Sequence, residues 1–400
     1  MRLVSVLTLC CLPVIPVWGM TALPDWAERI HIGGNGAVRI SDGQSRAQLE
    51  RNNSFSVNQL GLVFDVDLGP DMSFWYDFGL VREGQNRAPS LQQIYVQGEN
   101  LLGLQWLNAR LGRTFIPFGE EYLRWNAAES PVASISTAFP WALDEGVVVF
   151  GDILPEGKLA YAASLQNGNK EFNFDDNPNK TVALKLSAAP LPWLYASASY
   201  LNLGKQGNNT TAGSSEWWLS GFRIQPLGTT KEPSGASSSK IVTGQALEGN
   251  LKLRCDLGRA WLSYGYFHHN DGGGDAFDRD IRYFTSELLG YLPRTEQKAY
   301  AFGRYSVIGT FSPTLGYRFA GTELAFPGNF NNSPYDEYKY DQRDLYRYSL
   351  GLGYRLSENT VAKLEHTWEN SHVIEAAKTA ANLYLQGRRN FLIAELAFQF

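Results

Sequence analysis

The chain has 400 residues, of which 44% are hydrophobic, 13% aromatic and only 19% charged, and its formal net charge is −5. That balance, without a basic tract or a phosphate-cradling glycine loop, excludes nucleic-acid and nucleotide chemistry. Three cysteines, two of them adjacent at Cys10 and Cys11, exclude a disulfide scaffold.

In chain order, Arg2 precedes the apolar run LVSVLTLCCLPVIPVW, and Val17 and Gly19 fit the −3 and −1 positions of a cleavage site. Residues 1–19 therefore read as a secretory signal, with Ala22 as an alternative site, which leaves residues 20–400 as one exported domain. Cys255 is then the only cysteine of that domain and forms no internal disulfide. No later run reaches the roughly 18 apolar residues of a spanning helix. Strands are the remaining way through a membrane.

Strand patterns begin near His31–Ile40. In NQLGLVFDVDL (58–68), Leu60, Leu62, Phe64, Val66 and Leu68 share a face against Gly61, Val63, Asp65 and Asp67. A GPD turn leads into MSFWYDFGL (72–80), which alternates in the same way. LNARLGRTF (107–115) then runs into a segment over 116–144 before GVVVFG (146–151) resumes the pattern. That segment carries Ile116, Phe118, Tyr122, Trp125, Ile135, Phe139 and Trp141, too apolar for disorder. On a wide barrel it buries those side chains by folding into the lumen.

Further along, TFSPTLGYRFA (310–320) and RDLYRYSLGLGYRL (343–356) alternate, and NFLIAELAFQF (390–400) ends the chain on Phe400. Short connections fall at 69–71, 190–193, 309–312 and 356–359, and long ones at 269–294, 321–342 and 371–387. Ten-residue alternating segments with short turns on one side and long loops on the other describe a transmembrane antiparallel β-barrel. Trp193, Tyr200, Trp261, Phe267 and Trp368 fit its interfacial girdles. The rhythm fails over 214–258, and sixteen strands is the expected count, with eighteen the alternative. Phe400 would end the strand that closes against the first, and such a terminus resembles the feature by which the bacterial outer-membrane assembly machinery takes up its clients.

ARLGRTFIPFGEE, AFPWALDEGVVVFGDI and KLAYAASLQNGN, spanning roughly 107–169, resemble the phosphate-selective porins O and P. The resemblance implies a sixteen-stranded, trimeric diffusion channel in the outer membrane of a Gram-negative bacterium, narrowed by its inserted loop. Lipid, lipopolysaccharide and small solutes or ions are then its partners, and it needs no cofactor. Anion selection requires fixed positive charge along the path. Arg110, Lys185, Arg318, Arg343, Arg347 and Arg355 have lumen parity, and Arg124 is the base within 116–144, against Glu120, Glu121, Glu129 and Asp144. Without Arg2 the chain has 34 of its 35 Lys plus Arg against 40 Asp plus Glu. A general porin for small polar or charged solutes is therefore the expectation, with a phosphate- or anion-selective channel as the alternative. Arg113 shares parity with the lipid-facing Leu111 and Phe115, and either snorkels at an interface or follows a bulge.

Other classes fare less well. His366 lies between Leu364 and Trp368 in parity, with no assignable nucleophile, so an outer-membrane enzyme lacks its machinery. HHNDGGGDAFDRD (268–280) gathers histidines and aspartates at a spacing that fits no established metal loop. A barrel that sheaths a partner protein has no use for a constricting segment.

Overall fold

The computed structural model describes residues 27–43, 54–83, 86–124, 126–138, 143–168, 179–206, 217–219, 222–224, 242–270, 279–310, 342–373 and 387–400. Its first strands are β1 (Ile30–Gly43), β2 (Ser54–Gly69), β3 (Met72–Glu83), β4 (Asn86–Gly98) and β5 (Asn108–Phe115). After the long segment come β6 (Leu143–Leu154), β7 (Leu159–Gln166), β8 (Thr181–Leu191) and β9 (Leu194–Gln206). A separate hairpin joins β10 (Trp217–Leu219) and β11 (Phe222–Ile224). The chain continues with β12 (Val242–Cys255), β13 (Gly258–Asn270), β14 (Arg279–Tyr291) and β15 (Ala299–Thr310). It ends with β16 (Gln342–Ser357), β17 (Thr360–Val373) and β18 (Gly387–Gln399).

Among the described residues, sixteen of these strands close into one barrel in which every strand pairs with its sequence neighbour, β9 pairing directly with β12. Closure is made by β1 against β18, with Val38 opposite Leu396 and Arg39 opposite Glu395. The backbones of Gly34 and Phe400 exchange two hydrogen bonds of 3.0 Å, so the chain end is paired. The rings of Phe398 and Phe400 lie over Gly36 and Gly34, where a Cβ would come within 2.5 and 2.6 Å. A terminal strand that would be an exposed apolar edge in an open sheet is here the seam.

Period-two alternation decides the two faces. Leu184, Leu186, Leu350, Leu352, Leu392 and Leu396 point outward and are exposed. Ser197, Ser199, Thr285, Ser349, Glu365, Thr367 and Glu395 point inward and are buried. An outer surface this apolar is a lipid-contacting face, and only a closed sheet satisfies its backbone there. Among the described residues no helix is long and apolar enough to cross a membrane.

Several sequence expectations are corrected. The stretch 269–294, read as one long loop, contains β14, which pairs along its length with β13 and β15. Gly309 and Thr310 end β15 instead of forming a turn, and 311–320 lies outside the described residues. The faltering region 214–258 contains β12, a full member of the barrel. Trp261 and Phe267, expected at the membrane interfaces, face inward at 5% and 0% exposure, whereas Trp193 and Trp368 are exposed. The inserted segment ends at Phe-115's partner Leu143, so it covers 116–142, and Asp144 belongs to β6. Residues 1–19 lie outside the described residues.

Candidate functional site

The lumen is occupied by the segment between β5 and β6, which is fastened to the inner wall in three ways. The first is apolar. Ile116, Phe118 and Ala138 join Leu201, Leu203, Phe267, Ile281, Tyr283, Ile308 and Leu345 in one buried cluster. These wall residues replace the polar lining an open channel would have, because loop rather than water covers them.

The second fastening is Glu120, which is fully buried. It pairs with Lys185 at 2.8 Å and Lys252 at 2.5 Å, and accepts hydrogen bonds from Tyr195 and Ser197 at 2.5 and 2.9 Å. Lys185 also donates to the Gly119 carbonyl at 2.7 Å. Burial pushes the Glu120 carboxyl up, but Lys185 and Lys252 outweigh it and hold it at about 2, below its ordinary 4.5. A depressed carboxylate contributes its full stabilisation above its unfolded value and loses it progressively as pH falls from there through its folded value. Glu120 should therefore stay ionised and the loop docked from neutral pH to about 3, with no rise in single-channel conductance over that range. Loop release, read as a rise in conductance, would appear in that range only if Glu120 were not held by its two lysines.

Four residues on, the Arg124 Nη2 donates to both Glu287 oxygens, at 2.8 and 3.0 Å, with its guanidinium 5.0 Å from the Trp261 ring centre. Glu121 ties the two limbs of the loop together, accepting from the Ser136 N–H at 3.0 Å and its hydroxyl at 2.5 Å.

The third fastening is a band of buried charge on β15–β18 and β1. Lys363 and Arg39 pair with Glu395 at 2.9 and 2.7 Å. Lys363 also donates to the Ala127 carbonyl at 2.5 Å, and Arg39 to that of Ala133. Glu365 accepts from the N–H groups of Ala133 and Ser134 at 2.8 and 3.0 Å, and from the Ser134 hydroxyl. Arg304 lies 3.6 Å from Glu365 and donates to the carbonyls of Ser134 and Ile135 at 2.8 and 3.0 Å. Arg347 pairs with Glu369 at 2.6 Å and donates to the Ser136 carbonyl at 3.0 Å. A non-repetitive backbone leaves its own polar groups unpaired, and the wall supplies partners for them.

The residues expected along the pore thus fall into two groups. Glu120, Arg124, Lys185 and Arg347 fasten the loop to the wall, and Glu121 fastens the loop's two limbs to each other. Arg110 lines the wall of β5: its Nε donates to Gln97 at 2.7 Å and its guanidinium lies 5.0 and 4.7 Å from the rings of Tyr95 and Phe150. Arg343 is exposed and bonds Asp344 at 2.9 Å, Arg355 is half-buried near the other end of β16, and Arg318 lies outside the described residues. Arg113 is buried, its backbone opposite Glu145. The sequence reading passed over Arg39, Lys252, Arg304 and Lys363 and the carboxylates Glu287, Glu365, Glu369 and Glu395. A trace of them was present in KLEHTWEN (363–370), where Lys363, Glu365 and Glu369 share one parity opposite Leu364 and Trp368.

The loop's polar contacts fall on β1, β8, β9, β12, β14–β18 and, through Gln59, β2. On β3 and β4, Trp75 and Tyr95 stack with centroids 6.2 Å apart. No family model matches the chain, and no curated protein matches it in sequence. Solved structures do match. OprB of Pseudomonas putida aligns over 94% of this chain and 95% of its own at 11% identity, with a TM-score of 0.59. The anion-selective porin of Comamonas acidovorans aligns over 93% and 99% at 9% identity (TM-score 0.57), and the outer-membrane channel DcaP of Acinetobacter baumannii over 92% and 97% at 11% (TM-score 0.55). At such identities the likeness is one of fold. Among its described residues the chain has the sixteen-stranded barrel fold that these outer-membrane proteins share.

Proposed function

We propose that this chain is an outer-membrane porin of a Gram-negative bacterium, through which small polar or charged solutes diffuse passively past a constriction made by loop 116–142. The observation that carries the reading is the loop itself, held inside a closed barrel beside buried ion pairs, none of which lies on β2–β5. A plug would engage the whole circumference, and a sheath for a partner protein would leave the lumen empty. Removal of residues 1–19, delivery through the strand ending at Phe400 and assembly as a homotrimer surrounded by lipid and lipopolysaccharide complete the proposal. A phosphate-selective channel is less well supported, because Lys185 and Arg347 are each spent on a carboxylate and a loop carbonyl. The test is planar-bilayer recording of the purified barrel. Discrete conductance steps with no protein partner are expected, and folded protein that never conducts would overturn the reading.

A further inference from the structure

A cavity of about 570 Å³ is lined by the loop at Arg124 and Glu129 and by the wall at the short-turn ends of β8, β9, β12 and β13. Small-molecule sites have volumes of this order. Its charges do not balance. Of the five bases that line it, Arg124 donates to both oxygens of Glu287, Lys158 pairs with Glu156 at 3.1 Å, and Lys252 shares Glu120 with Lys185. Arg254 and Arg259 are left over. Among the described residues no carboxylate lies within ion-pair distance of either, Glu129 and Asp256 included. Glu287 is within electrostatic reach of Arg259, but so is Arg124, which holds it.

The two arginines are also set against each other. They are direct partners across the β12–β13 hairpin, on the inward parity of Lys252 and Trp261. Like charges opposite one another on one face of a sheet repel. The Nε of Arg259 is buried and makes no hydrogen bond. A buried donor without an acceptor costs free energy that a bound anion would restore. Each guanidinium offers a planar fork of donors that matches a carboxylate, and neighbouring forks can share one.

Beside the arginines the lining is apolar. Pro190, Pro192 and Trp193 lie at the β8–β9 turn, and the Trp193 carbonyl accepts from the Arg254 N–H at 2.9 Å, so this turn borders the charged pair. Trp193 is 52% exposed, which leaves its ring available as a surface. A hydrated inorganic anion gains nothing from such a surface, whereas a carboxylate on a ring or alkyl body is held at both ends.

We propose that this cavity binds small organic carboxylates with an apolar or aromatic body, the carboxylate taken by Arg254 and Arg259 and the body by the turn over 190–193. The site stands on this geometry, and its part in passage through the lumen rests on the channel reading above.

The probe is benzoate, with benzyl alcohol and inorganic phosphate as controls. Ligand-observed saturation-transfer NMR on the full barrel in detergent should give a saturable benzoate signal. Benzyl alcohol should give none, and phosphate at equal concentration should not displace benzoate. In planar bilayers at low salt, benzoate should reduce potassium chloride current over the same concentration range. The double variant Arg254→Gln, Arg259→Gln should raise the half-saturating concentration about tenfold or more, because both charge-assisted forks are lost. Arg254→Glu is the second variant, and it decides the matter if the double change does not fold. It hands Arg259 a carboxylate across the hairpin, so benzoate binding should disappear while the barrel stays heat-modifiable on a denaturing gel. Folded wild type that binds no benzoate, equal binding of benzyl alcohol, displacement by phosphate, or unchanged affinity in the folded variants overturns the site and leaves the porin reading standing. Binding with no reduction of current keeps the site and removes its part in passage. Benzoate binding by folded protein that never conducts would remove the porin reading and keep the site.

Discussion

Excising residues 119–137 and joining the ends with a short glycine–serine bridge should raise single-channel conductance roughly threefold or more, because a sixteen-stranded barrel encloses an aqueous channel once nothing fills it. The barrel should survive the cut. Phe115 and Leu143 face each other across β5 and β6, so the bridge closes an ordinary hairpin. The wall retains the Arg39–Glu395–Lys363, Arg347–Glu369 and Arg304–Glu365 pairs, none of which needs the loop for its charge balance. Lys185 and Lys252 are another matter. Both lose Glu120, their carboxylate, and become unpaired lumen cations. The variant should accordingly conduct more and shift its reversal potential in the anionic direction, with both changes read from the same recordings. Unchanged conductance in a folded variant would remove the loop as the constriction.

Which parts of this arrangement were readable from the sequence follows from what each strand faces. Where one side meets lipid and the other meets polar lumen, alternation is plain. Leu60, Leu62, Phe64 and Val66 against Gly61 and Asp65 gave β2, and Leu350, Leu352 and Tyr354 against Ser349 and Arg355 gave β16. Where the loop packs on the wall, the inner face is apolar too and the contrast disappears. β14 places Ile281, Tyr283 and Leu289 inward and Phe284 and Leu288 outward, so RDIRYFTSELLGY read as loop. Phe267 and Trp261 on β13 were assigned to the membrane for the same reason. The loop's insertion was foreseeable from Ile116 and Phe118, but its fastening was not. Glu120 and Lys252 are 132 positions apart, and Ser134 and Glu365 are 231 apart. Only closure of the sheet brings such pairs together, and period-two reasoning says nothing about which inward residue on one strand meets which atom of a loop.

Glu365→Ala is expected to be the most damaging single substitution in the loop's anchorage. The carboxylate is fully buried and receives three hydrogen bonds from Ala133 and Ser134 besides its ion pair with Arg304. Thr367 donates to it as well, at 2.9 Å. Removing it strands two backbone N–H groups and leaves the Arg304 guanidinium with loop carbonyls but no counter-charge. Breaking one side of a buried pair costs about 3–5 kcal/mol, much of it the penalty of the charge left behind. Part of that cost can be avoided by undocking residues 131–137 and letting water reach Arg304, so the loss divides between barrel stability and loop position. Thermal unfolding in detergent should begin at a clearly lower temperature, and open-channel current should become noisier as the loop exchanges between docked and released states. The double variant Glu365→Met, Arg304→Met distinguishes charge from packing: removing both partners should recover most of the lost thermal stability, whereas the current noise persists because the Ala133 and Ser134 N–H groups still lack an acceptor. If the double variant is no more stable than Glu365→Ala, the stranded guanidinium is not the source of the loss, and the anchorage rests on the backbone hydrogen bonds alone.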